Sequence, residues 1–462
     1  MQRETAEQSQ SRHDPHDRCA LTALVFAGVS AFTSSCNREP RVKGVSSREC
    51  VEGELDSPEW TQSATHTAAT SRSGSFTVGL GTDPLTVVIE DTVVTIDSTG
   101  AAREDKLSLD GWAGSVGAGV GVVDRNGDGQ RDLFLAGSRD EPGAAVFLSP
   151  FTDGDEPTAV FLEAPTLGLD FGVYGLGEVR ATDGEAVLVV GQPRPLDPEH
   201  SGIYLLRLDS DAGTLAKWGH IASTDRFPST GDSLDSRGDL DGDGLLDIVH
   251  ADIMRSVSGP LSGVAFVHYG PVPPTSTVED ADVQFGPSSS VNFGWSISSG
   301  EDVDGDGLDD VAVASTYWSQ AVGLTTEETR IDIFTHAGLQ DGEPRTTVRV
   351  PGRNIGAVES IELSRFSRSA ARAGLFVHDG GWPGEWVEDA PGGVTGTVFG
   401  WPELPEGTVH LCDAPLRWEA RAGVSDPRST RGVVDGAGRR VGVVIPPVWA
   451  NGQYTLGVQL EP

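Results

Sequence analysis

Basic residues are scarce. The chain of 462 residues has 33 Lys and Arg against 69 Asp and Glu, a formal net charge of −36. Nucleic-acid phosphates are held by clusters of Lys and Arg, so this balance excludes a nucleic-acid partner. It favours a cation-rich or extracellular setting. Cysteine is also scarce, at four, with no C-x-x-C pair. The ten His form no H-E-x-x-H or H-x-H pattern, so no zinc signature is present. Hydrophobic residues make up 37% and aromatics 7%, low for a globular chain but above the range of disorder. No stretch keeps a helical period. What the chain has instead is 59 Gly, 28 Pro and many short apolar runs cut by Gly, Asp and Pro. That texture belongs to short strands joined by turns, and so to an all-β fold.

The N-terminus reads as an export signal over residues 1–35. The apolar run CALTALVFAGVSAF (19–32) is too short for a bilayer span, which needs about 20 residues. Thr33-Ser34-Ser35-Cys36 follows it and resembles a bacterial lipobox, in which Cys36 is acylated. Cleavage after Ala31, with Val29 and Ala31 as the small pair, is the alternative. The expected location is therefore outside the cytoplasm: an outer-membrane lipoprotein or cell-surface protein, or a secreted one. Signal removal takes Cys19 and lipidation would use Cys36. Cys50 and Cys412 are left as either a disulfide or two free thiols. Residues 36–75 are rich in Ser, Thr, Glu and Arg without a period and read as a tether or lead-in.

From residue 76 onward the chain repeats. Asp124–Asp132 precedes LFLAG, Asp239–Asp247 precedes IVHAD, and Asp302–Asp310 precedes VAVAS. The first two loops are 115 residues apart and the last two 63, so a further copy is expected between the first pair. Phe171-Gly172 begins one that ends in AVLVVG (186–191). The period is about 60 residues, the scale of a propeller blade or solenoid unit. Each copy carries a later strand signal, at 143–148, 201–208, 262–269 and 330–334. Weaker copies fit at 372–379 and 438–446. With the strand-like segment 86–96, six or seven four-stranded units result, seven being preferred. Such units close into a propeller, which protects its sheet edges. Closure asks one chain end to complete a unit begun at the other, and residues 76–110 are free for that. An open solenoid is the structural alternative.

The acidic loops suit calcium. Calcium takes six to eight oxygens in a flexible shell. Acidic side chains at positions 1, 3 and 5 of a tight loop converge on one point, and Gly at 4 and 6 supplies the positive φ. A carbonyl at 7 and an Asp at 9 complete the set. The expected ligands are Asp124, Asn126, Asp128, the Gln130 carbonyl and Asp132 in the first loop. In the second they are Asp239, Asp241, Asp243, the Leu245 carbonyl and Asp247. In the third they are Asp302, Asp304, Asp306, the Leu308 carbonyl and Asp310. About three Ca2+ ions are expected, in three of the blades. Magnesium fits less well because it demands a tighter octahedron.

Two other signatures overlap the second loop. Gly231-Asp232-Ser233-Leu234 spells a GDSL esterase nucleophile, and Arg237-Gly238-Asp239 an adhesive RGD. Aligning the copies places Gly231 on Gly294, Ser233 on Ser296 and Leu234 on Ile297. Ser233 is then a repeat residue and Asp239 a metal ligand, so neither signature is expected to act. Five Trp crowd the last quarter: Trp382, Trp386, Trp401, Trp418 and Trp449. They read as core filling in blades without an acidic loop, with Trp382-Pro-Gly-Glu-Trp386 the best placed for an exposed loop.

VNFGWSISSGEDVDGDGLDDVAVAS (291–315) resembles an FG-GAP repeat, the blade unit of integrin α-subunit propellers and of many bacterial surface proteins. Phe293-Gly294 matches the FG and Asp302–Asp310 the cation loop. The resemblance extends over residues 76–462. It implies a β-propeller whose ions brace the blades without touching ligand. The expected function is non-catalytic recognition or adhesion towards a protein or polysaccharide, by a monomer that meets the membrane only through a lipid anchor. The repeats leave no room for a separate catalytic domain. The alternatives are a propeller-borne polysaccharide lyase or hydrolase, and a scaffold subunit of an envelope complex.

Overall fold

Both faces of most strands are buried, and this dictates the architecture. The computed structural model describes residues 62–66 and most of 77–460. Residues 1–61, 67–76, 109–115, 163–171, 194–199, 316–328, 351–357, 380–393 and 423–430, and shorter stretches between strands, lie outside the described residues. In Asp132–Gly137, Phe134 and Ala136 join a core with the following strands, whereas Leu133 and Leu135 join one with the preceding strands. Alternation thus feeds two cores at once, which is why the sequence shows continuous apolar runs. Each fully buried Val, Leu or Phe contributes about 1.5–3 kcal/mol.

Among the described residues 28 of the 30 strands sort into seven antiparallel groups of four. The first is Thr77–Thr82, Leu85–Ile89, Thr92–Ile96 and Ala102–Lys106, so the run at 86–96 is a hairpin of two strands. The second is Val116–Val122, Asp132–Gly137, Gly143–Phe147 and Ala159–Leu162. The third is Leu176–Arg180, Ala186–Gln192, Gly202–Asp209 and Thr214–Ala222. The fourth is Thr230–Gly238, Asp247–Asp252, Val264–His268 and Val283–Phe285. The fifth is Phe293–Glu301, Asp310–Ser315, Arg330–Phe334 and Thr346–Arg349. The sixth is Val358–Ser364, Gly374–Asp379, Val394–Trp401 and Leu416–Ala422. The seventh joins Arg431–Val434, Arg440–Ala450 and Gln453–Leu460 to Gln62–His66. Two short strands, Thr275–Thr277 and Gly407–His410, pair in parallel with the fourth strands of the third and fifth groups. An α-helix at His336–Asp341 and two single 3-10 turns complete the described structure.

Apolar clusters fill the space between successive groups, from the first and second through to the sixth and seventh. Trp401 and Trp418 are buried there. Trp382 and Trp386 lie outside the described residues. First strands of neighbouring groups meet: Ser236 Oγ accepts from Glu178 N at 3.0 Å, and Ser298 Oγ from Leu363 N at 2.9 Å. The first strands of the first and seventh groups pair in parallel through Gly79 and Val433, which closes the series. Stacked antiparallel groups with abutting first strands are the architecture of a β-propeller.

The chain end that completes the last group is not 76–110. That segment forms a group of its own, and the completing strand is Gln62–His66, inside the span read from sequence as a lead-in.

Candidate metal centre

Each acidic loop joins the first strand of its group to the second. The loops follow Val116–Val122, Thr230–Gly238 and Phe293–Glu301. In all three the glycines at positions 4 and 6 have φ between 77° and 90°, the left-handed turn that lets the chain fold back on its own carboxylates.

The hydrogen bonds repeat from loop to loop. The position-1 carboxylate accepts from the N–H groups of positions 4 and 6. These are Gly127 and Gly129 onto Asp124, Gly242 and Gly244 onto Asp239, and Gly305 and Gly307 onto Asp302, at 2.5–3.0 Å. Position 3 accepts from the position-5 N–H, and position 5 from the position-7 N–H. The position-9 carboxylate reaches back to the position-2 N–H: Asp132 to Arg125, Asp247 to Leu240 and Asp310 to Val303, at 2.6–2.8 Å. Held in this way, the carboxylates converge. Carboxylate oxygens of Asp239, Asp241 and Asp247 lie within 4.8 Å of one another, as do those of Asp302, Asp304 and Asp310. Asp243 and Asp306 stand at the exposed tips, and Leu245 and Leu308 enter the hydrogen-bond pattern through their backbone N–H, while the Leu308 side chain lies against Gly242 of the second loop.

The loops differ at position 9. Asp132 Oδ1 accepts from Ser149 N at 2.9 Å and Ser149 Oγ at 3.0 Å, and that hydroxyl also bonds Asp128 at 3.1 Å. Asp247 Oδ1 accepts from Gly270 N at 2.8 Å. Asp310 Oδ1 is buried and has no hydrogen-bond partner. Burial, with the loop's other carboxylates nearby, pushes the Asp247 carboxyl up to about 7 and that of Asp310 up to about 8. The N–H of Gly129, helped by neighbouring N–H groups, holds the half-buried Asp124 carboxyl below its ordinary value.

Four groups have no acidic loop. The copy found at 171–191 turns tightly through Ala181–Glu185, where Arg180 donates to Gly184 O at 3.1 Å. In the sixth group Arg365 donates to Ala370 O at 3.0 Å. In the seventh, Arg440 opens the second strand, the place Asp132, Asp247 and Asp310 hold in theirs. Arg440 belongs to a buried ionic network that sequence reasoning missed. Arg237 makes a two-point contact with Asp235 at 2.7 and 2.6 Å and with Glu362 at 2.8 and 3.2 Å. Arg440 reaches Glu362 at 2.8 Å, and Arg365 reaches Glu301 at 3.0 Å. Burial alone would raise Asp235 and Glu362; Arg237 beside both, and Arg440, hold them below their ordinary values. A register of the copies that placed Arg440 on Asp310 is the signal that could have pointed to it.

The overlapping signatures resolve in favour of the loop. Ser233 is buried and donates to the Gly294 carbonyl, so it is not presented as a nucleophile. Arg237 is consumed by its ion pairs, and Gly238 packs on Gly300. The register of the copies holds: Ser233 pairs with Ala251 and Ser296 with Ala314, while Gly231 and Gly294 have φ of 85° and 98°. Cys412 is disulfide-bonded. Cys36 and Cys50 lie outside the described residues.

A family model for the FG-GAP repeat matches residues 293–328. The chain carries an FG-GAP repeat. The match begins at Phe293, opens the fifth group and contains the third acidic loop. Integrin alpha-4 of Xenopus laevis is 26% identical over 202 residues, which are 42% of this chain and 19% of that protein, so the match spans a small part of that relative's length. The fold is a β-propeller, with an FG-GAP repeat match in its fifth group and a likeness to an integrin alpha chain. Among solved structures, that of BBS1N in complex with ARL6DN is similar with a TM-score of 0.49 and 12% identity, covering 87% of this chain and 97% of that one. The Pan2 WD40 domain of Neurospora crassa is similar with a TM-score of 0.45 and 9% identity, covering 88% and 98%. Among the described residues no helix is long and apolar enough to cross a membrane.

Proposed function

We propose that this chain is a calcium-braced propeller at the cell surface or secreted, and that it recognises a protein or polysaccharide without acting chemically on it. The observation that carries the calcium reading is the repeated loop geometry together with Asp310 Oδ1. A buried carboxylate oxygen with no donor is costly unless a cation neutralises it. The carboxylates at positions 1, 3, 5 and 9, Asn126 and the carbonyls of Gln130, Leu245 and Leu308 would hold one ion in each loop. Calcium would supply the divalent charge that lets buried Asp247 and Asp310 ionise. The chain's own part is to preorganise the oxygens through the loop N–H groups.

The surface setting is supported by the acidic composition, by the resemblance to an integrin alpha chain and by disulfide-bonded Cys412, since disulfides persist in oxidising compartments. A lipid at Cys36 would be the sole membrane contact, with the propeller acting as a monomer. The non-catalytic reading is supported by the use of Ser233 in strand packing. Equilibrium dialysis of the full chain against calcium tests the metal: about three ions are expected, with magnesium failing to replace them. A pull-down on envelope proteins and polysaccharides tests the rest. Retained ligand without cleavage products supports recognition, whereas released products would replace it with an enzyme.

A further inference from the structure

The second and third acidic loops touch: the Leu308 side chain lies against Gly242, and a side chain that ligates neither loop, Asp309, makes the hydrogen-bonded junction. Asp309 is the eighth residue of the third loop, next to Asp310. Its Oδ2 accepts from Asp239 N at 2.9 Å, and its own N donates to Asp239 O at 3.3 Å. Asp239 is the first acidic residue of the second loop. His336, also of the fifth group, donates from Nδ1 to Leu240 O at 2.6 Å. The fifth group therefore grips both ends of the Asp239–Leu240 segment, with Asp309 covalently adjacent to the third loop's buried carboxylate.

The neighbouring junctions lack this grip. Where the third loop meets the sixth group, Asp302 O accepts from Ala373 N at 2.8 Å, the counterpart of the Asp309–Asp239 backbone bond. Ala373 stands where Asp309 does and has no carboxylate, and the Arg372 guanidinium lies against Gly305 instead. The group after the first loop turns at Ala181–Glu185 and has no acidic loop to couple to.

From this we infer that the second and third loops bind calcium as a positively coupled pair through Asp309, while the first loop binds alone. The inference rests on the calcium reading above. An ion drawing in Asp310 fixes the Asp309 backbone and carboxylate. That carboxylate then holds Asp239 N, so the second loop's first ligand is ordered before its own ion arrives. Ordering already supplied by one ion is not required again by the next, which raises the second affinity. By linkage the effect is reciprocal. The direct repulsion between two cations opposes it and is weakened by their own carboxylate shells and by salt.

The test is equilibrium dialysis of radioactive calcium with the full chain. Asp128→Ala, an exposed first-loop change, leaves two sites to be read. At a coupling of about fivefold, the low end of the usual range, two otherwise equal sites give a Hill coefficient of about 1.4. Adding Asp309→Ala should bring it to about 1, whereas Asp309→Asn should keep it, because the amide oxygen still accepts from Asp239 N. A role for Asp309 as mere negative charge predicts the opposite for Asn. Asp306→Ala, also exposed, empties the third loop with Asp309 unaltered and should weaken the second site about fivefold. Two ions bound with a coefficient of 1, or an unchanged second site after Asp306→Ala, would overturn the coupling and leave the calcium reading intact. Absence of bound calcium would overturn both.

Discussion

The glycine of the Phe-Gly pair has a packing reason as well as a conformational one. Gly294 has φ of 98°, and a Cβ there would stand 2.1 Å from the Ala251 Cβ of the preceding group. Gly172 meets Ala136 in the same way at 2.4 Å, and Gly231 meets the Gly191 backbone at 2.9 Å. The pair thus seats each first strand against the second strand before it. Gly294→Ala should cost at least about 1–3 kcal/mol, the range for a residue held in a disfavoured backbone region, and the urea midpoint reads it. A loss below a few tenths would mean that the groups can part at no cost. A second residue-scale effect comes from two stacked histidines. His250 and His268 are buried with ring centroids 5.3 Å apart, and no partner binds either ring nitrogen of His250. Burial holds His250 well below its ordinary value, with His268 adding to the effect, and burial lowers His268 to about 4. The unfolded chain takes up these protons below about pH 6.5 and the folded chain does not. Stability is therefore fully present above that pH and is lost as pH falls from about 6.5 towards 4. His268→Phe should flatten that part of the pH dependence; equal losses in both proteins between pH 7.5 and 5 would assign acid sensitivity elsewhere.

Between elements, the ionic network holds first strands together near the acidic loops. Glu362 accepts from Arg237 of the fourth group and Arg440 of the seventh. Removing one member of a buried pair leaves its partners uncompensated, at about 3–5 kcal/mol. Glu362→Ala should show a loss of that order by chemical denaturation, and a loss under about 1 kcal/mol would show the arginines re-solvated. The network also marks where sequence reading stops. The acidic loops were legible because alternate carboxylates and two glycines must sit in one short stretch to surround a point. The strands after them were legible because burial on both faces leaves continuous apolar runs. Arg237 and Glu362 are 125 positions apart, and only the closed order of groups brings them together. Asp309 was hidden for another reason: inside a loop of five acidic residues its composition matches that of a ligand, and only its bond to Asp239 separates it from them. The seven groups were countable to within one from the period, but the completing strand was not, because QSATH is short and polar and carries no alternation.

At the scale of the whole molecule, that completing strand makes stability a property of the ring. Gln62–His66 pairs antiparallel with Gln453–Leu460, Ala64 opposite Leu456 and Ser63 opposite Gly457. It is an edge strand, so the N–H groups of adjacent residues point alternately to its partner and away. Ser63→Pro and Ala64→Pro remove adjacent N–H groups, and one of the two must delete a bond to the partner strand. That variant should lose about 1–3 kcal/mol, the cost of leaving an acceptor unpaired, while its neighbour loses less. The seventh group packs on the sixth through Val443 and pairs with the first through Val433 and Gly79. Loosening its edge therefore loosens both neighbours, and the melt should shift as one transition. A separate early transition covering only the seventh group would show that the other six stand without it, and that closure by the N-terminal strand is incidental to the fold.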